Sequence, residues 1–247
     1  MKIAADGIPS NQVAGSDMKR DEQQKVGAVI VAAGSSRRMG GVNKVLALLG
    51  GEPVLARVVD VFQRCSSIDQ IVVVLSKPDL EWGRRLVAEQ GWSKVTDVCA
   101  GGRRRQDSVV AGLGRLSHCH WVVIHDGARP LLTEALIWQG LVEVKETGVA
   151  AAAVPVTDTI KVAGDDRLVQ QTLLRHNLWA VQTPQVFRFD IIAEAYHQAK
   201  QEVTDDATLV EQLGGRVKLY MGSYDNIKIT TPDDLVLADV WWQKHGK

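Results

Sequence analysis

Apolar residues in this chain come in short dense runs separated by longer amphipathic stretches. Residues 26–32 form an unbroken run of small and β-branched side chains, the pattern of a strand buried on both faces. Residues 53–64 place Val54, Leu55, Val58, Val59 and Phe62 on one helical stripe, behind a proline that suits a helix start. The alternation repeats: strands are expected at 70–75, 95–99, 121–125 and 149–156, and helices at 80–90, 106–116 and 134–146. Such alternation builds a mostly parallel sheet covered by helices on both faces. The expected fold class is α/β, a Rossmann-like sheet flanked by helices.

Between residues 156 and 181 the alternation breaks. Two short polar segments, 159–162 and 168–172, surround Gly164-Asp165-Asp166 and read as a hairpin with little core of its own. This reads as a protruding β-arm that packs on a partner. Helices are then expected at 189–201, 207–213 and 232–243, the last capped by Thr231, and strands at 217–221 and 227–230. Residues 1–25 are polar and weakly patterned. They lack the apolar core of a signal peptide and carry acids that a transit peptide avoids. They are expected to be a disordered leader, with 26–247 forming one domain that carries the arm at 156–181.

Charge and composition narrow the function classes. In 247 residues, 29 Lys and Arg balance 29 Asp and Glu, whereas a general nucleic-acid binder is usually basic. No apolar run is long enough to span a bilayer, so neither nucleic acid nor membrane is an expected partner. Cys65, Cys99 and Cys119 are odd in number and lack metal or redox spacing. Free thiols in a reducing compartment, the cytoplasm, are expected.

Ligands of an open α/β sheet bind at the carboxyl ends of its strands, so those ends hold the candidates. The first run ends in Ala32-Ala33-Gly34-Ser35-Ser36-Arg37-Arg38-Met39, with Lys44 beyond. Gly34 and Ser35 let the backbone approach a ligand, and exposed N–H groups with nearby cations can hold phosphates. The plain alternative is a strand-to-helix turn with solvated charges. Neither GxxxxGK[ST] nor GxGxxG is present, so this is not a P-loop or a dinucleotide fingerprint. The other expected strand ends carry Gly101-Gly102-Arg103-Arg104-Arg105-Gln106-Asp107-Ser108, His125-Asp126-Gly127-Ala128-Arg129-Pro130, Thr157-Asp158-Thr159-Ile160-Lys161, Gln182-Thr183-Pro184-Gln185 and Asp225-Asn226-Ile227-Lys228. A carboxylate such as Asp126 at the end of a buried strand is costly unless it serves a partner, although a turn-capping role is the plain alternative.

The Ala-Ala-Gly-x-x-x-Arg-Met…Lys loop resembles the signature of sugar-phosphate nucleotidyltransferases. Followed in order by HDGARP, TPQ and DNIK, it makes the span from Val26 to Trp242 closely resemble the 2-C-methyl-D-erythritol 4-phosphate cytidylyltransferase family. The resemblance implies a nucleotidyltransferase joining CTP to that polyol phosphate, with Mg²⁺ held mainly by the CTP phosphates. It implies that Arg38, Lys44 and Lys228 are catalytic, stabilising charge as pyrophosphate leaves. Ala32, Ala33, Gly34, Ser36, Gly102, Arg105 and Ser108 would bind the nucleotide. Asp126, Arg129, Thr159, Arg175 and Thr183 would bind the acceptor, with Asp126 also near the metal. It further implies a homodimer whose arm brings Thr159 and Arg175 to the neighbouring subunit's site.

Some positions depart from the family pattern. Ser36 stands where many members have a second glycine, Asn43 where a proline often precedes the loop lysine, and Arg103 where an Asp is common. The segment from Arg38 to Lys44 is also one residue short. The nearest rival is a cytidylyltransferase for another polyol phosphate, such as ribitol 5-phosphate. A non-catalytic CTP-binding regulator and an RNA binder using the three arginines are further alternatives.

Overall fold

The structure is a computed structural model that describes residues 24–34, 43–199 and 201–244. Eleven strands and seven α-helices lie among the described residues. The sheet strands are β1 (Val26–Ala32), β4 (Gln70–Leu75), β5 (Val95–Ala100), β6 (Trp121–Asp126), β7 (Val149–Pro155), β10 (Trp179–Arg188) and β11 (Lys218–Met221). They form one seven-stranded sheet in the order β11-β7-β10-β6-β1-β4-β5. All neighbours in it are parallel except β10, which runs antiparallel to both β6 and β7.

The period of two decides which side chain enters which layer. From β1, Ala28, Ile30 and Ala32 enter one core, while Val29 enters the other. From β4, Ile71, Val73 and Leu75 join the first, and Val72 and Val74 the second. Helices α1 (Val54–Arg64), α2 (Leu80–Gln90) and α4 (Glu134–Thr147) cover the first face. Helices α3 (Arg105–Leu113), α5 (Phe189–Gln198) and α6 (Asp206–Gln212) cover the second. A third, small cluster joins Leu49 of the two-residue strand β2 (Leu48–Leu49), which pairs with β3 (Glu52–Pro53), and Val54 of α1 to α7 (Pro232–Lys244). There Trp242 stacks on the Arg57 guanidinium, 4.4 Å from the ring centre.

Local chemistry sets the helix ends. Thr133 caps α4 by accepting from the Leu136 N–H, and Gly148 ends it in the left-handed conformation. Thr231 and Asp234 form the reciprocal bonds of a capping box before α7: the Asp234 N–H donates to the Thr231 hydroxyl and the Thr231 N–H to the Asp234 carboxylate.

Two sequence expectations need correction. No strand was expected at 179–188, yet β10 lies there, and residues 227–230 form no strand. Pro184 interrupts the apolar pattern, and the ladder with β7 shifts register between Val181 and Gln185, so periodicity alone hides this strand. Thr183-Pro184-Gln185 is therefore not a loop after a strand but lies within one. Residues 227–230 instead run as a loop tied to the turn after β6 by the Ile229 N–H donating to the Ala128 carbonyl at 2.8 Å. The hairpin expected after residue 156 is present as β8 (Lys161–Ala163) and β9 (Val169–Thr172), a separate two-stranded sheet.

Candidate active site

The carboxyl ends of β1, β5 and β6 meet on one edge of the sheet, and two glycines let them come close. A Cβ on Gly101 would lie 2.4 Å from Ala33 Cβ and 2.5 Å from Ser108 Oγ; one on Gly127 would lie 2.8 Å from Ala32 Cβ. Between these loops lies a cleft of about 440 Å³. Ala32, Ala33, Gly34, Lys44, Gly102, Arg103, Arg105, Asp126 and Lys228 line it. Val31, Val45, Arg104 and Ala128 complete the lining; with Arg103 they make five of the thirteen that were not expected as site residues from the sequence.

Asp126 is the centre of charge. Its carboxylate is nearly buried, and three cations surround it: Lys228 Nζ at 2.8 Å, Arg105 Nε at 3.2 Å and Arg129 Nε at 3.6 Å. Burial opposes ionisation, but Arg105, Lys228 and Arg129 outweigh it and hold the carboxyl far below its ordinary range. Its backbone N–H donates to the Thr183 hydroxyl at 3.1 Å, so Thr183 reaches the site from β10, beside β6. Arg129 spans from Asp126 to the Asn226 carbonyl, to which it donates at 2.6 Å. Asn226, fully buried, donates in turn to the Thr183 carbonyl at 2.7 Å. These bonds lock the turn after β6 to the loop that carries Lys228.

His125 is fully buried and packs against Phe62 with ring centres 5.6 Å apart. Its Nε2–H donates to the Arg129 carbonyl at 3.2 Å. Burial pushes its pKa down to about 4, so the ring is neutral near pH 7. It braces the turn from below.

Three adjacent arginines have three different environments. Arg103 is exposed at the cleft. Arg104 precedes α3 and pairs with Asp107, its Nη2 2.6 Å from Oδ1 while its N–H donates to Oδ2. Arg105 is committed to carboxylates, Asp126 on one side and Asp206 on the other. Ser108 spends its hydroxyl inside the loop, accepting from the Gly102 N–H and donating to the Arg104 carbonyl, each at 3.2 Å. Asn43 ends the segment before Lys44. Its side chain donates to Asp79 at 2.9 Å, and its carbonyl accepts from Leu46 and Ala47 at 3.0 Å.

Thr159 and Arg175 do not line the cleft; Arg175 donates to the Thr157 carbonyl at the base of the hairpin. Ser36 and Arg38 lie outside the described residues, as does most of the expected leader. Cys65, Cys99 and Cys119 are free thiols. No described helix is long and apolar enough to cross a membrane. No group of three or more His, Cys, Asp or Glu among the described residues could hold a metal ion, and Asp126 already faces three cations. The described residues by themselves therefore supply no metal site.

The profile of the family described as 2-C-methyl-D-erythritol 4-phosphate cytidylyltransferase matches residues 26–244. The chain belongs to this family. A relative of that name from Dehalococcoides mccartyi is 53% identical over 221 residues, covering 90% of this chain and 97% of its own length. One from Geobacter metallireducens is 43% identical over 223 residues, covering 87% and 96%. Among solved structures, the 4-diphosphocytidyl-2C-methyl-D-erythritol synthase of Anaerococcus prevotii superposes with a TM-score of 0.81 at 30% identity, over 90% of this chain and 97% of that one. Family membership accounts for the convergence of the Ala-Ala-Gly, HDGARP and DNIK segments on one cleft. It leaves unexplained the residues that sequence reading missed. Asp206 reaches Arg105 from a distant helix and Tyr196 donates to Asp206 from another, and only the Asp205-Asp206 pair before an apolar run hinted at a helix start.

Proposed function

We propose that this chain transfers the cytidylyl group of CTP to 2-C-methyl-D-erythritol 4-phosphate, yielding CDP-methylerythritol and pyrophosphate for isoprenoid precursor synthesis. The observation that carries this reading is the meeting of Lys44, the Gly102 loop, Asp126 and Lys228 in one cleft at the strand ends. A phosphate oxygen of the acceptor attacks the α-phosphorus of CTP. The bond from that phosphorus to the bridging oxygen of the β-phosphate breaks, and pyrophosphate leaves with the electron pair. The nucleophile is already an anion, so no general base is needed. His125 is fully buried and does not line the cleft, so it presents no base to the acceptor. Catalysis is positioning and charge neutralisation, with Lys44 and Arg38 assigned to the triphosphate and Lys228 to the reacting phosphates. Ala32, Ala33 and Gly34 line the cleft where the nucleotide would lie, with Ser36 assigned beside them; Gly102, whose N–H is taken by Ser108, lets its loop approach without a side chain. Mg²⁺ would be held mainly by the phosphate oxygens, with Asp126 as the carboxylate at hand, and would add charge neutralisation at the triphosphate.

Our reading extends to assembly and location. Leu168, Val169 and Leu174 on and beside the hairpin are 69%, 59% and 68% exposed. Large apolar side chains left bare on a small sheet favour a second copy as partner. The dimer would carry Thr159 and Arg175 to the neighbouring cleft. Three free thiols suit the cytoplasm.

The test is pyrophosphate release with CTP and Mg²⁺, offering methylerythritol 4-phosphate and ribitol 5-phosphate side by side. Release with the first alone is expected. Release with the second alone would reassign the acceptor, and CTP binding without release would make the protein a regulator.

A further inference from the structure

Arg105 is the link between the cleft and a buried carboxylate that the proposed reaction does not use. Asp206, at the start of α6, is fully buried. Its two oxygens lie 2.8 Å from Arg105 Nη1 and 2.8 Å from Nη2. The Tyr196 hydroxyl, from α5, donates to the same carboxylate. Arg105 Nε, on the other edge of the guanidinium, donates to Asp126 Oδ1 at 3.2 Å, while Lys228 holds Oδ2 at 2.8 Å. Two carboxylates therefore share one arginine, and three cations, Arg105, Lys228 and the more distant Arg129, compete for Asp126. The shorter contacts run to Asp206, which takes the larger share of the Arg105 charge.

We propose that Asp206, held by Tyr196, is a positioning residue that keeps Arg105 from collapsing onto Asp126 and so governs how firmly Asp126 holds Lys228. A buried guanidinium that loses one counter-charge moves to the nearest other. Here that is Asp126. Removing the Asp206 charge would place Arg105 on Asp126 and loosen Lys228. Tyr196 acts one step further out by fixing the carboxylate in place. The link to turnover rests on the function proposed above; the link to Lys228 does not.

The test separates the two. Brief amine acetylation of the whole protein, without substrates, is followed by mass spectrometry of each lysine. In Asp206→Asn, Lys228 is expected to react about threefold faster, with a smaller rise in Tyr196→Phe, as for neighbours in one charged network. Lys218, paired with Glu146 at 2.7 Å on the surface, is the internal reference and should not change. Loss of packing alone would raise both lysines or neither. An unchanged or slower Lys228 in the folded variants overturns the proposal. If Asp206→Asn fails to fold, Tyr196→Phe decides by the same reading. Activity is scored separately: kcat/KM for the acceptor should fall about tenfold in Asp206→Asn, less than the roughly 10²–10³-fold of a contact aimed at reacting charge, because Asp206 acts only through Arg105 and Lys228. No activity in the unaltered protein would sink the functional reading while leaving the Lys228 result standing.

Discussion

The floor of the cleft and the hairpin of β8 and β9 both carry polar chain, yet they are held in unlike ways. At the floor, Asp126 is nearly buried and answered by Arg105, Arg129 and Lys228, while Thr183 and Asn226 tie the surrounding backbone. Every one of those partners is supplied by the same chain. In the hairpin every strand residue is exposed, and its side-chain support is sparse: Lys161 donates to Thr172 at 2.7 Å and the Leu168 N–H to Asp166 at 3.0 Å. The comparison teaches where self-sufficiency ends. A buried charge cluster fixes its geometry by its own electrostatics, whereas a two-stranded sheet without a core needs a surface from elsewhere.

The largest expected effect strikes the floor. Asp126→Asn leaves three neighbouring cations with one carboxylate fewer and should cost about 3–5 kcal/mol of stability, the scale for breaking a buried pair. Urea unfolding at pH 7 measures it, and a loss below about 1 kcal/mol would show that the cations relax into solvent. Lys44→Ala should keep the fold and lower the rate of pyrophosphate release by about 10²–10³-fold, as for loss of one preorganised charge contact. Unchanged kcat with raised KM would make Lys44 a binding group only.

Acid should weaken the floor before the hairpin. Above pH 6.5 His125 is neutral whether folded or unfolded. Below it the unfolded chain takes the proton first, because the folded value is about 4. Stability therefore falls as pH drops from 6.5 to about 4, by about 3 kcal/mol at most. Asp126 has an ordinary value of 3.8 and is held lower in the fold, so its contribution is present above pH 3.8 and lost below it. Unfolding midpoints at pH 7, 5 and 4 should trace this fall, and His125→Met should flatten its first part.

The smaller effects belong to the hairpin. Arg175→Ala and Lys228→Ala should each be weakly active alone. Mixed, unfolded and refolded together, they should recover about a quarter of wild-type activity if the proposed dimer forms, because half of its random pairs would hold one complete shared site. No recovery would place Arg175 in the same subunit's site. Last, Leu168→Ser with Val169→Ser should change the unfolding free energy of the isolated chain by no more than about 0.5 kcal/mol. They should still lower the mass seen by light scattering.

The parallel half of the sheet was legible because each of its strands is a dense apolar run and each covering helix has one stripe. Strand β4 and helix α2 fall on the residues that pattern marks. Strand β10 was not legible, since Pro184 and the register shift break its alternation and its partners lie far away in sequence. Within the site, Gly34, Lys44 and Asp126 were legible as a small residue and charges after expected strands, while Lys228 was legible through the DNIK segment of the family resemblance. The commitments of Arg105 and Ser108 were not, because a side chain's partner is a fact about neighbours in space.

By itself, then, the sequence determined the α/β class, the order of the covering helices and the segments that supply the cleft. Periodicity and turn chemistry are local, and burial on two faces leaves a readable mark on each strand. Tertiary structure alone decided that β10 runs antiparallel between β6 and β7, bringing Thr183 to Asp126. It alone decided that Arg105 faces Asp206 across 101 positions of chain. Such pairings are selected by the free energy of burying charge with its counter-charge, a quantity that exists only once the chain has brought them together.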